Sequence, residues 1–217
     1  MIEKNINAYA ATHLKTGDAV YYKFAYEITC MEVIKLDIPD ADFFKFKYTK
    51  TSMDLYHKIL EETDWRQEQI NIHGKKIDIP RLTAWYGKTY KYSGITNEER
   101  DMPEYIKQIM EDLREITLLE HNSVLINRYR NGSDSVGYHS DDEKELGKNP
   151  FITSLSFGQT RMFYLKNKRT DAVYPVELEH GDCIVMGDKS QILYLHSIPK
   201  NSLYNGERLN LTFRTIV

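Results

Sequence analysis

Two residues of the segment YHSDDEKE have the types and spacing of metal ligands. His139 and Asp141 lie two positions apart, and on an extended chain residues i and i+2 project to the same side. A second histidine, His196, follows much later in the apolar segment LYLHSIP. Two histidines and one carboxylate on one face of a metal leave its other positions open, as in non-haem iron(II) oxygenases. The spacing alone also fits a surface histidine beside an acidic turn, and His196 also fits a core histidine.

The C-terminal segment ERLNLTFRTIV favours the metal-site interpretation because polar and apolar residues alternate along it. The polar residues on one face of the predicted strand are Arg208, Asn210, Thr212 and Arg214. Two buried arginines are costly unless they pair with anions, and a guanidinium binds a carboxylate through two hydrogen bonds. A dicarboxylate co-substrate would supply both anions, whereas the alternative is an outward-facing strand with solvated arginines. VLINRYR repeats the alternation and adds Asn127 and Tyr129 as hydrogen-bond donors.

Composition restricts the class of protein. The chain has 217 residues, of which 41% are hydrophobic, and a net charge of −3. These values suit one globular domain without a global positive field that would attract nucleic acid. Its two cysteines, Cys30 and Cys183, are far apart, so we expect no disulfide and an intracellular location, either nuclear or cytoplasmic. No apolar run approaches the roughly 18 residues of a membrane span, and the N-terminal residues do not resemble a secretory signal.

The elements that must position these residues are two helices and many short strands. Apolar residues at helical spacing predict helices over residues 52–64 and 103–119, the first capped by Thr51 or Ser52. Residues 67–80 predict a β-hairpin around His-Gly-Lys-Lys. After the second helix come the strand-like segments VLINRYR, FITSLSFG, RMFYLK, YPVELEHGDCIVMG and LNLTFRTIV. This order predicts an α+β protein whose strands close into a sandwich or barrel.

Several of these segments resemble the AlkB family of 2-oxoglutarate oxygenases. The resemblance rests on LINRYRNGSDSVGYHSDDE, SLSFGQTRMF, LEHGDCIVM, YLHSIPK and RLNLTFR, with PRLTAWYG and YKYSG upstream. The strings are especially similar to those of the second and third human members. The resemblance implies a double-stranded β-helix, or jelly-roll, with helices N-terminal to it, in a dioxygenase domain over residues 41–217. A nucleotide-recognition lid would lie at about residues 66–95, after an N-terminal extension of unknown role at residues 1–40.

The resemblance also implies a role for each candidate residue. The implied ligands of iron(II) are His139, Asp141 and His196, and Arg214 would join them as a catalytic residue. The distal carboxylate of 2-oxoglutarate would bind Tyr129 and Arg208. Asn127 and Arg214 would bind near its metal-proximal end, and Asn210 and Thr212 would complete the pocket. The implied substrate-binding residues are Tyr90, Tyr92, Asp142 and Glu143. Further substrate-binding candidates are His73, at the hairpin tip, and the cation Arg81.

The implied reaction removes an alkyl group from a nucleobase such as 1-methyladenine or 3-methylcytosine. With dioxygen and 2-oxoglutarate as co-substrates, the N-alkyl carbon is hydroxylated and leaves as an aldehyde. The implied partner is alkylated DNA, and RNA as well. We expect the protein to be a monomer that does not bind a membrane. His73 replaces an aromatic wedge of the second human member, and PKNSLYNGER, after His196, lacks that member's basic cluster. Both departures favour a single-stranded substrate over a duplex, because a base in a duplex must first be flipped out of the helix.

Three other functions remain open from the residues. An oxygenase of the same fold could act on a protein or a small molecule, and only the pocket aromatics and a basic rim argue against it. The residues of this predicted rim, which also suit a solvated hairpin, are Lys75, Lys76, Arg81, Lys88 and Lys91. A non-catalytic nucleic-acid-binding module would have no reason to keep costly buried charges. A hydrolytic zinc enzyme would accept the same ligands but leaves the paired arginines unexplained.

Overall fold

The computed structural model of the protein describes residues 32–72, 74–92 and 95–217. Within these ranges, two antiparallel sheets form the core. The larger sheet contains, in spatial order, β1 (Val33–Lys35), β2 (Asp42–Lys47), β13 (Asp182–Gly187), β10 (Ile152–Gly158), β15 (Arg208–Arg214), β8 (Ser123–Tyr129) and β5 (Leu82–Gly87). The smaller sheet contains β12 (Val173–Leu178), β11 (Arg161–Asn167), β14 (Tyr194–Ile198) and β9 (Val136–His139). This arrangement confirms the predicted jelly-roll.

The helices form where the apolar spacing predicted them. α1 (Met53–Glu62) begins after Ser52, whose side chain accepts a hydrogen bond from the backbone N–H of Leu55 at 3.0 Å. Such a cap is worth about 1 kcal/mol relative to alanine. α2 (Glu104–Thr117) presents an apolar face to the larger sheet. Shorter helical elements are α3 (Ser190–Leu193) and a 3-10 turn at Lys144–Leu146. In the described part of the chain, no helix is both long and apolar enough to cross a membrane.

Two small hairpins lie outside the sandwich, in the predicted lid region. β3 (Gln69–Ile72) pairs with β4 (Lys75–Asp78), which confirms the hairpin predicted over residues 67–80. β6 (Tyr90–Tyr92) pairs with β7 (Ile95–Asn97). His73, at the tip of the first hairpin, lies outside the described residues. The role of these hairpins as a lid stays a prediction.

The larger sheet begins earlier than the predicted domain boundary at residue 41. β1 pairs with β2, with Val33 opposite Phe46, and the N–H of Leu36 donates to the carbonyl of Phe43 at 2.8 Å. Residues 33–36 are therefore part of the sheet, because backbone hydrogen bonds hold them there. Residues 1–31 of the predicted extension lie outside the described residues.

Residues of the larger sheet alternate between two cores. Leu209, Leu211 and Phe213 of β15 face the helices and pack in a cluster that includes Ile106 of α2. Each such side chain contributes about 1.5–3 kcal/mol when fully buried. Their polar neighbours on β15 face the smaller sheet, and the apolar cluster between the sheets includes Phe163. Period-two alternation thus places the candidate site between the sheets. The free thiol of Cys183 is buried in the helix-facing cluster, whereas Cys30 lies outside the described residues.

Candidate active site

Strand pairing brings the predicted metal ligands together. His139 ends β9 and is paired with His196 of the neighbouring strand β14, and the centroids of the two rings are 4.2 Å apart. Asp141 lies two residues beyond the end of β9, with its carboxylate 4.0 Å from His196 Nε2. One ligand atom from each of the three residues lies within 4.8 Å of the others.

The electrostatics of this triad suit a divalent metal. His139 Nδ1 lies 2.9 Å from the carbonyl of Gly137, which assigns the proton to Nδ1 and metal binding to Nε2. Burial lowers the pKa of both histidines, that of His196 to about 3, so both rings are neutral at pH 7. Burial raises the pKa of Asp141, but Arg214 and the two histidines outweigh that effect and hold it at about 2. Two neutral imidazoles and one carboxylate are the donor set of a facial triad.

Two buried side chains hold Asp141 in place. Arg214 donates through Nη2 to both carboxylate oxygens, at 2.9 and 3.0 Å. The backbone N–H of Asp141 donates to the side-chain oxygen of Gln191 on α3 at 2.9 Å. Gln191 was not predicted, because one polar residue in a short apolar segment gives no signal of its contact. Asp142 is 66% exposed and accepts from Ser140 Oγ at 2.8 Å, so it faces away from the triad, as the alternation predicts.

A small cavity of about 40 Å³ lies beside the two histidines of the triad. Its polar lining residues are Arg81, Asn127, Tyr129, His139, Ser154, His196, Arg208, Asn210, Thr212 and Arg214. The predicted co-substrate residues therefore share one cavity. Arg208 and Arg214 are only 2% and 3% exposed, so the alternative of an outward-facing strand is wrong.

The two arginines carry unpaired donors that a bound anion would satisfy. Arg208 Nη2 donates to Ser156 Oγ at 3.0 Å. Among the described residues, Nε and Nη1 of both Arg208 and Arg214 are buried without a hydrogen-bond partner. Burial lowers the pKa of Arg208 to about 10, so it remains a cation at pH 7. Unpaired buried donors are destabilising, and a dicarboxylate supplies the acceptors that fit them.

The structure describes the side chains of only some of the predicted substrate-binding residues. Tyr90 is buried and stacks on Trp85 with the ring centroids 4.9 Å apart. Its hydroxyl faces Glu143, a carboxyl whose pKa is raised by burial. The cavity lining in the described part of the chain includes neither Tyr90 nor Glu143, so their contact with a base stays a prediction. The side chains of Tyr92 and His73 lie outside the described residues.

The prediction that Arg81 belongs to an exposed basic rim is wrong. Arg81 is 5% exposed and donates through Nε to Asn127 Oδ1 at 2.7 Å and through Nη1 to the carbonyl of Ser135 at 3.3 Å. It turns inward because it directly precedes β5, the strand that pairs with the Asn127 strand β8, and Asn127 supplies a buried acceptor. The predicted rim lysines Lys75, Lys76, Lys88 and Lys91 are exposed.

Comparison with known proteins gives the same assignment as the geometry. Residues 42–214 match the family model of the 2OG-Fe(II) oxygenase superfamily. The chain is 37% identical over 179 residues to alpha-ketoglutarate-dependent dioxygenase alkB homolog 3 of Homo sapiens, covering 75% of this chain and 60% of that protein. It is 34% identical over 160 residues to DNA oxidative demethylase ALKBH2 of Mus musculus, covering 69% of this chain and 67% of that protein.

A solved structure agrees with the fold. The structure of OsALKBH1 matches with a TM-score of 0.61 at 18% identity, covering 82% of this chain and 99% of that one. At that identity the match shows the fold alone. The chain spans about 60% of the length of the alkB homolog 3 relatives that it matches.

Proposed function

The chain belongs to the AlkB family of the 2OG-Fe(II) oxygenase superfamily, and from that premise we propose that it oxidatively removes alkyl groups from nucleobases. The proposed substrates are 1-methyladenine and 3-methylcytosine in DNA and also in RNA, with single strands preferred to duplexes. One observation carries the proposal: the two histidines of a His-Asp-His triad line the same cavity as two buried arginines that have unpaired donors. The name DNA oxidative demethylase of a 34% identical relative supports a nucleic-acid substrate.

The residues present fit the family's iron(II), 2-oxoglutarate and dioxygen. His139, Asp141 and His196 would hold the iron, and Tyr129 and Arg208 would bind the distal carboxylate of 2-oxoglutarate. Bound there, the metal supplies the coupling of 2-oxoglutarate decarboxylation to hydroxylation of the N-alkyl carbon. The hydroxylated alkyl group then leaves as an aldehyde and restores the base.

The protein's own contribution is to orient ligands and exclude water. Arg214 keeps Asp141 ionised and fixed, and Gln191 holds the Asp141 backbone. Apolar residues form the rest of the cavity lining: Leu125, Val136, Phe163, Met186 and Ile198. A fixed polar set inside an apolar lining strengthens electrostatic contacts to a bound anion and limits side reactions with water.

Nucleic acid would contact the exposed face of the lid. Because the net charge is −3, the phosphate contacts must be local. Lys75 and Lys76 of β4 and Lys91 of β6 are exposed and are the proposed phosphate contacts. A base reaches the buried triad only from a single strand or after it is flipped out of a duplex.

We propose that the protein acts inside the cell as a monomer.

The test is turnover on methylated oligonucleotides. The protein is incubated with iron(II), ascorbate, 2-oxoglutarate and 1-methyladenine or 3-methylcytosine in single- and double-stranded DNA and RNA. We expect formaldehyde and demethylated base, fastest on single strands, and no product from Asp141→Ala. Turnover of methylated peptides without turnover of any oligonucleotide would favour a protein oxygenase. Oligonucleotide binding without binding of iron or 2-oxoglutarate would favour the non-catalytic module.

A further inference from the structure

Arg161, the first residue of β11, is a buried cation to which the proposed reaction assigns no role. It is 1% exposed. Its side chain donates to three backbone carbonyls, those of Asn131 at 3.1 Å, Asp134 at 3.0 Å and Pro199 at 2.8 Å. The nearby carboxylate of Asp134 is held by Arg130 at 2.7 Å. The positive charge of Arg161 is therefore held by carbonyl dipoles rather than by an ion pair in the described part of the chain.

These carbonyls belong to two loops that adjoin, along the chain, the strands carrying the two histidine ligands. One loop, residues 130–135, precedes β9 and His139, and the other, residues 199–207, follows β14 and His196. Nη2 of Arg161 bridges both loops, since it donates to one carbonyl in each. The loops also pair directly, because Gly132 N–H donates to the carbonyl of Tyr204 at 2.7 Å. Arg161 thus fixes the end of the cavity at which β8 and β15 carry the predicted distal-carboxylate residues.

The Arg161 guanidinium also contacts the ring of Tyr129. The carbon at the centre of the Arg161 guanidinium lies 5.6 Å from the centroid of the Tyr129 ring and 5.0 Å from that of Tyr204. The Arg208 guanidinium lies 5.3 Å from the same Tyr129 ring. Tyr129 is therefore in cation–π contact with two arginines. Arg161 and Arg208 repel each other, which contributes to the lowered pKa of Arg208, and an anion at Arg208 would relieve that repulsion.

We propose that Arg161 is a positioning residue for the distal carboxylate of the dicarboxylate co-substrate. It holds Tyr129 in place and adds a second positive charge close to Arg208, without itself lining the cavity. The inference rests on the proposed function, because it assumes that 2-oxoglutarate binds beside the triad. It deepens that function by making the preference for a dicarboxylate depend on a residue outside the pocket.

The test compares two 2-oxo acids that differ only in the distal carboxylate group. Dissociation constants of 2-oxoglutarate and of 2-oxobutyrate are measured by calorimetry on the iron(II)-loaded protein without oxygen. Arg161→Met removes both charge and carbonyl contacts, whereas Arg161→Lys keeps the charge. The matched control is Arg128→Met, because Arg128 precedes Tyr129 on the opposite face, where it pairs with Glu207 at 2.7 Å.

We expect Arg161→Met to raise the Kd of 2-oxoglutarate roughly tenfold, the size of effect exerted by residues one contact away from a ligand. The Kd of 2-oxobutyrate should not change. Arg161→Lys should fall between, and Arg128→Met should affect neither ligand. If Arg161→Met does not fold, Tyr204→Leu removes the half-buried ring on the other side of the guanidinium and should give the same discrimination.

The alternative outcomes are distinguishable. Equal weakening of both 2-oxo acids would make Arg161 a purely structural residue and overturn the proposal. Tight 2-oxoglutarate binding that is indifferent to Arg161 and Tyr204 would also overturn it and leave the proposed function standing. If the unsubstituted protein bound no 2-oxoglutarate, the proposed function would fail and this inference with it.

Discussion

Replacing Arg208 with methionine tests whether the cavity is built to take up an anion. Arg208 is buried, yet two of its three guanidinium nitrogens lack a partner among the described residues. Methionine has a similar length and needs no hydrogen bonds, so Arg208→Met removes the charge with little change of shape. We expect this one substitution to weaken 2-oxoglutarate binding while leaving the ligand-free protein as stable or more stable.

The two effects follow from the same contacts. Removing one partner of a buried charge pair costs about 2–5 kcal/mol of binding, which raises the Kd by roughly 30-fold to several-thousand-fold. In the ligand-free protein, each unpaired buried donor costs about 1–3 kcal/mol, and the substitution removes two of them. Against this gain stand the lost hydrogen bond to Ser156 and the lost cation–π contact with Tyr129, each worth about 1 kcal/mol. The net free energy of unfolding should therefore stay level or rise.

The assay combines calorimetry with thermal unfolding. Calorimetry of 2-oxoglutarate with iron(II)-loaded protein gives the Kd, and unfolding without ligand gives the Tm. For a domain of this size, 1 kcal/mol shifts the Tm by about 2–4 °C. Saturating 2-oxoglutarate should raise the Tm of the unsubstituted protein and leave that of Arg208→Met nearly unchanged. Arg128→Met, on the outer face of β8, serves as the control with intact binding.

Two results would refute this reasoning. An unchanged Kd would show that β15 does not bind the co-substrate. If the ligand-free Arg208→Met protein were destabilised by more than about 2 kcal/mol, the hydrogen-bond donors of Arg208 would already be satisfied without a ligand. That result would contradict the cost assigned here to its unpaired donors.

Other substitutions test the rest of the site and the fold. Asp141→Ala should abolish iron binding measured by anaerobic titration, whereas the exposed neighbour change Asp142→Ala should keep iron; the reverse result would show that the ligand assignment is wrong. Gln191→Leu removes the acceptor of the Asp141 backbone N–H and should weaken iron binding about tenfold. An unaltered iron affinity would show that Gln191 does not help to position Asp141. Asp112 accepts from Lys50 at 2.6 Å, and although burial raises its pKa, the hydrogen bonds outweigh burial and depress it. Its stabilisation is therefore present above the unfolded pKa of about 4 and is lost as pH falls through the folded value. Asp112→Asn should cost about 1–3 kcal/mol at pH 7 in urea unfolding, and this cost should shrink below about pH 4; a cost that is independent of pH would contradict the ion pair.

Much of the site could be predicted because its signals are local. The H-x-D spacing placed His139 beside Asp141, and strict alternation placed Arg208 and Arg214 on one face of β15. Both patterns depend only on the geometry of an extended chain, which neighbouring residues determine. The cap at Ser52 and the hairpin over residues 67–80 were predictable for the same reason. The assignment of His196 as the third ligand needed more, namely the resemblance to a family in which the segments occur in the same order.

Only the tertiary structure decided which distant residues meet. Gln191 contacts Asp141, and Arg161 contacts Tyr129, because the strand order places β11, β14 and β9 side by side in the sheet that faces β8 and β15. The charge and sequence position of Arg81 predict a cation on the exposed rim. Arg81 is instead buried, because Asn127 on the adjacent strand supplies an acceptor. A side chain's burial depends on partners brought in by non-local strand pairing. Local alternation determines which face of a strand a residue occupies, whereas only the packed sheets determine what that face meets.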